Sequence, residues 1–246
     1  MSKSPVKIGV YVPGGVQLLD LACIDVFHMM SKEYLSVIPM LPKHIPALAP
    51  SVEIVYITSP EFKPATVPLS ANLNVRATHD ITDAEVQPGK LDIVLVPGPD
   101  PSATWEKPIL DFLKAHSKNL ITDVLSVCTA IYICGAAGLL DGRTACGPRG
   151  LQDDVRKKYP TAKLVGEKYR WIQDGNFWSS GGITNGNDLV AAYARANEKH
   201  FPSAVVEIAC KMADVGDRAQ SYSESQTVFT IGFVWLLIKG LFSKRH

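Results

Sequence analysis

Apolar positions fall along this chain in alternating runs of two kinds. Lys7 to Val12 (KIGVYV) is a short β-branched stretch closed by Pro13-Gly14-Gly15, which predicts a buried first strand ending in a turn. Leu18 to Met30 then carries apolar residues at helical spacing. Val52 to Thr58 reads as a second strand and Leu91 to Val96 as a third, the latter closed by Pro97-Gly98-Pro99. Between them, the Pro-, Thr- and Asn-rich segment Phe62 to Val75 reads as a hairpin or an irregular excursion. Ser102 to Lys118 has the stripe of an amphipathic helix, and Leu120 to Val127 is a fourth strand. It runs into a small-residue helix from about Thr129 to Ala137, stopped by Gly138 and the Asp141-Gly142 turn. Strands alternating with helices imply an α/β domain whose mainly parallel sheet is covered on both faces.

Past Gly142 the pattern changes. Tyr169 to Ser179 predicts an aromatic hairpin about Asp174-Gly175 on a type I′ turn. A further helix is placed to begin near Asn187 or Asp188, both natural N-caps. Nothing repeats and no linker divides the chain, so residues 1–225 read as one domain and residues 226–246 as an apolar helical extension. Within that extension, Val228 to Phe242 (VFTIGFVWLLIKGLF) is apolar on nearly every side of a helix. Burial against the domain or a partner subunit is the favoured reading. A peripheral membrane anchor ending in the basic Ser243-Lys244-Arg245-His246 is the less favoured one.

Charge removes some partners. Lys and Arg total 25 against 24 Asp and Glu, a formal charge of +1, so no global field gathers nucleic acid, and a small-molecule substrate is the expected partner. Five cysteines, an odd number without CxxC spacing, follow a start with no apolar leader, a pattern of the reducing cytoplasm. Disulfide scaffolding and structural zinc are both poor readings of that pattern, and none of the six histidines has ligand spacing, so no metal and no cofactor are expected.

Chemistry is most legible at Leu125 to Thr129 (LSVCT), where a strand meets a helix with a cysteine at the junction. Such an elbow lifts Cys128 above the carboxyl edge of the sheet, facing the free N–H groups of the next helix. The helix dipole there is expected to lower the thiol pKa. A small buried hydrophobe in a tight turn is the bland alternative.

The ordered set VPGPD, SVCT, GLLDG and DGNFWSSGGIT resembles the ThiJ/PfpI superfamily, with its glutamine amidotransferase-like, flavodoxin-like three-layer sandwich. QLLDLA and AAGLLDG look closest to the isonitrile hydratase-like branch and its fungal relatives. The resemblance covers roughly Lys7 to Ala194 and leaves the apolar C-terminus as an addition.

By that resemblance Cys128 is the nucleophile and Asp20 the acid facing it, with Asp25 as fallback because the following helix turn departs from the family pattern. A carboxyl held against a thiolate should have a raised pKa. Gly98, Thr129 and Ala130 would offer backbone N–H groups to a developing charge, and Gly182, Ile183 and Thr184 would line the pocket. Many relatives place a histidine after the GLLDG turn, but here the segment reads GRTACGPRG, which removes a Cys–His dyad from it. Arg149 in that segment is read either as an anion-recognising group or as a surface residue. The implied activity is a cysteine-dependent hydratase or lyase, nearest to isonitrile hydration. Alternatives are a cofactor-free glyoxalase and a redox sensor or chaperone-like protein using Cys128. Dimers are common among relatives, and a homodimer is expected.

Overall fold

A seven-stranded sheet runs through the centre of the protein in the order β10-β11-β7-β6-β1-β2-β5. Our computed structural model describes residues 4–62 and 66–241. Its strands are β1 (Val6–Tyr11), β2 (Val52–Thr58), β3 (Thr66–Pro68), β4 (Asn74–Arg76), β5 (His79–Asp80), β6 (Ile93–Val96), β7 (Asp123–Val127), β8 (Thr144–Ala145), β9 (Lys163–Leu164), β10 (Trp171–Asp174) and β11 (Phe177–Ser180). Its α-helices are α1 (Leu18–Leu21), α2 (Cys23–Met29), α3 (Lys32–Ser36), α4 (His44–Leu48), α5 (Lys107–Lys118), α6 (Ala130–Ala136), α7 (Gln152–Lys158), α8 (Asn185–Ala196), α9 (Ser203–Ala213) and α10 (Gln226–Leu241).

All pairings in the large sheet are parallel except β10 with β11. Period-two alternation feeds two cores. Along β6, Ile93 and Leu95 enter the core beneath α2, α8 and α9, while Val94 and Val96 enter the core beneath α5 and α6. This three-layer arrangement is the one the alternating runs imply. The segment read as a hairpin or excursion is the antiparallel pair β3–β4.

Some boundaries move for local reasons. The helix placed from Ser102 starts at Lys107, because Pro97, Pro99 and Pro101 remove backbone donors and Pro108 suits only a first helical turn. Leu120 and Ile121 lie exposed in the turn before β7 instead of in the strand. The hairpin exists, but its turn is not type I′. Asp174 pairs with Phe177, and of the two residues between them only Gly175 has positive φ (61°), the pattern of a type II′ turn. Helix α8 opens at Asn185 behind Thr184, so Asn187 and Asp188 are not its caps. Asp188 instead pairs with Arg218 and accepts the Gly216 N–H.

Helix α10 begins at Gln226 and has no buried residue. The expected burial against the chain's own domain is therefore absent. Phe242 and the basic residues after it lie outside the described residues. Among the described residues, no helix is long and apolar enough to cross a membrane.

Candidate active site

Strand β7 ends at Val127 and α6 begins at Ala130, so the chain must turn within Cys128 and Thr129. Cys128 makes that turn with φ of 58°, a left-handed conformation costly for a residue with a Cβ and typical of functional positions. Its side chain is buried, 7% exposed. The backbone N–H groups of Thr129 and Ile183 face the sulfur and favour its charged form. Ile183, in the loop between β11 and α8, is itself left-handed at φ 46°.

Asp20 approaches from α1 and is almost fully enclosed, 1% exposed. Its Oδ2 accepts the Gly98 N–H at 3.1 Å, while the buried Oδ1 has no hydrogen-bond partner. Burial pushes the carboxyl up to about 7, against the opposing pull of the Gly98 N–H and the Cys128 thiol. The thiol shifts the same way. Burial first, and then the neighbouring Asp20 charge, raise Cys128 to about 11, overriding the lowering that the helix end was expected to supply. At neutral pH the sulfur therefore keeps its proton, and the carboxyl beside it stands near its midpoint.

Gly98 makes this contact through the absence of a side chain. A Cβ there would lie 2.6 Å from Asp20 Oδ2 and 2.8 Å from the Thr129 nitrogen. The Thr129 hydroxyl donates to the Pro99 carbonyl at 2.7 Å and ties the Pro-Gly-Pro turn to the elbow. Gly98→Ala is expected to lower stability by about 1–3 kcal/mol, read as a lower urea midpoint at unchanged m-value.

The structure thus gathers Cys128, Asp20, Gly98, Thr129 and Ile183 around one sulfur. The Gly98 N–H is taken by Asp20, not left for a developing charge, and the Thr129 N–H serves the thiol. The Ala130 side chain points into the core under α6. Gly182 borders a cavity of about 420 Å³ shared with Arg149, Arg170, Asn185 and Tyr222. Thr184 turns away, its hydroxyl and carbonyl both held by Arg218. Asp25, the fallback acid, is exposed on α2. No histidine is among the groups acting on the thiol, and the described residues contain no cluster of His, Cys, Asp and Glu able to hold a metal ion.

Arg149 is neither a surface residue nor a free anion receptor. Its guanidinium is buried between the Tyr222 and Phe229 rings, 4.3 and 4.4 Å from their centroids, and donates to Glu224 at 3.1 Å. Tyr222 in turn accepts from Asn185 at 2.9 Å, at the start of α8. Sequence reasoning missed this cluster because the residues that hold Arg149, from Tyr222 onward, lie more than 70 positions away, beyond any local pattern.

Residues 48–196 match the DJ-1/PfpI family. The chain belongs to that family. Cys128, Gly98 and Ile183 of this DJ-1/PfpI protein lie inside the matched segment, whereas Asp20 precedes it and joins the site through the fold. Isonitrile hydratase of Pseudomonas putida is 31% identical over 156 residues, which is 63% of this chain and 63% of that protein's length. A DJ-1 superfamily protein from Salmonella typhimurium superposes with a TM-score of 0.64 at 16% identity, covering 85% of this chain and 97% of the other. Drosophila melanogaster DJ-1beta gives 0.63 at 15% identity, covering 87% and 99%. These two share the fold.

Proposed function

We propose that this DJ-1/PfpI protein is a cysteine-dependent hydro-lyase that converts a small isonitrile into an N-substituted formamide. The observation that carries the reading is a buried thiol set against a buried carboxyl, the thiol protonated and the carboxyl near its midpoint at neutral pH, with no imidazole acting on the sulfur. The 31% identical isonitrile hydratase supports it.

An isonitrile carbon accepts a proton and a nucleophile at the same atom, so the pair is matched to it. The Asp20 carboxylate takes the Cys128 proton and delivers it to that carbon while the sulfur bonds there. The product is a thioimidate, R–N=CH–S, on Cys128. Asp20, again ionised, takes a proton from water as its oxygen adds to the same carbon. Nitrogen receives that proton, and as the C–S bond breaks the adduct's hydroxyl becomes the formamide carbonyl, its proton passing through Asp20 to the sulfur and restoring the thiol. The Thr129 and Ile183 N–H groups stabilise the sulfur while it carries charge.

Purified protein is expected to release formamide from simple alkyl isonitriles, followed by NMR. Because only an ionised Asp20 can accept the thiol proton, kcat/KM should rise as pH passes about 7 and fall as the thiol itself ionises toward about 11, both values belonging to the pair. Protein with an intact, titratable Cys128 that makes no formamide would overturn the proposal.

A further inference from the structure

Helix α10 is apolar around its whole circumference. Phe233, Val234, Trp235, Leu236, Leu237 and Ile238 are consecutive, and at about 100° per residue six neighbours cover every side of a helix. All six are exposed, from 39% at Ile238 to 63% at Leu236. Lys239 is the one charged residue in the helix, and its ammonium lies over the Trp235 ring, 5.3 Å from the centroid. The foot is fastened to the body. Arg149 donates to Gln226 Oε1 at 3.1 Å and stacks on Phe229.

We propose that α10 is immersed in the hydrocarbon of a lipid bilayer and holds the α/β body against the membrane. Full-circle apolarity selects this occupant. A second copy of the helix would cover one seam and leave the other sides in water. An amphipathic helix lying in the interface needs a polar face, which α10 lacks. Hydrocarbon surrounds a helix on all sides, and α10 satisfies its interior backbone groups within itself. At 16 residues it is about 24 Å long, short of the roughly 30 Å core, so the proposal is immersion without passage across the membrane. Beyond it the sequence turns to Ser243-Lys244-Arg245-His246, whose basic side chains suit an anionic headgroup layer.

The foot of α10 also fixes which edge of the body meets the lipid. Phe229 lines the same cavity as Gly182, and the next residue, Ile183, directs its N–H at Cys128.

Flotation of the full chain with phosphatidylcholine vesicles tests the proposal. The protein is expected to rise with the vesicles, and lipids brominated in the acyl chain should quench a fluorescence component that Trp235→Phe removes. Leu236→Lys should lower the partition coefficient by roughly 100-fold. Because Leu236 touches no core, the melting curve of the body should be unchanged. Protein that stays unbound and elutes as an oligomer dissociated by Leu236→Lys would overturn immersion in favour of a second copy. An unbound monomer would overturn it outright, as would binding confined to anionic vesicles, lost in high salt and without quenching.

Discussion

Exchanging Cys128 for alanine is expected to remove isonitrile turnover, a fall of at least about 10³-fold in kcat, because no other group can form the carbon–sulfur bond. Cys23, Cys134, Cys146 and Cys210 cannot substitute, since each is 0–2% exposed, more enclosed than Cys128 at 7%, and none sits at the strand–helix elbow. Wild-type protein quenched during turnover should carry a mass increase equal to one substrate on the peptide containing Cys128, and the variant should carry none. Folding should change little, because the substitution removes one sulfur atom and leaves the left-handed backbone occupied by another residue with a Cβ. Ordinary turnover in the variant would remove the covalent route.

Asp20→Asn separates chemistry from stability. Asparagine still accepts the Gly98 N–H through its oxygen but can neither take the thiol proton nor return it, so a loss of about 10²–10⁴-fold in kcat/KM is expected. Stability should move the other way. Asp20 has its pKa raised from an ordinary 3.8 to about 7 by folding, so the charged form is the one the fold disfavours. The Asp20 contribution to stability is greatest below about pH 4, declines as pH rises to about 7, and stays lowered above that. The asparagine variant lacks this decline. Its advantage should be near zero at pH 4 and reach a few kcal/mol at pH 8, since each tenfold change in the acidity of a group on folding is worth about 1.4 kcal/mol. That advantage is readable as a rise in Tm of about 2–4 °C for each kcal/mol. Removing the carboxylate also lowers the Cys128 pKa, so iodoacetamide should label Cys128 faster in the variant that turns over slower. An inert asparagine variant with unchanged labelling and unchanged pH dependence of Tm would remove the pairing of Asp20 with Cys128.

β1, β2 and β6 were legible because each is a run of apolar, mostly β-branched residues followed by Pro or Gly, whereas the two-residue β5, β8 and β9 carry no such run. Val52 to Thr58 coincides with β2, and Lys7 to Val12 sits one residue from β1. Helix starts were less so. The Thr184 region has no side-chain cap to mark where α8 begins, and α7 and α9 went unpredicted although their apolar faces pack into the two cores. At the site, the elbow was legible in LSVCT, whereas Asp20 as the acid facing it came from the family resemblance. The protonation of the pair could not, because desolvation depends on how much of the body encloses Asp20 and Cys128, and no local pattern encodes that. The allocation of donors was equally hidden. Gly98 looks like a free N–H in the sequence, and only the arrival of α1 from 78 residues away gives it to Asp20.

A thiol raised to about 11 also bears on how readily Cys128 is oxidised. At pH 7 only about one sulfur in 10⁴ is a thiolate, the form that peroxide attacks. Idle Cys128 is thereby protected from oxidation to the sulfinic acid, which would be irreversible. In the proposed hydration the nucleophile would be uncovered in the presence of a molecule whose carbon can receive the proton, so the substrate itself, not aerobic solvent, would supply the trigger.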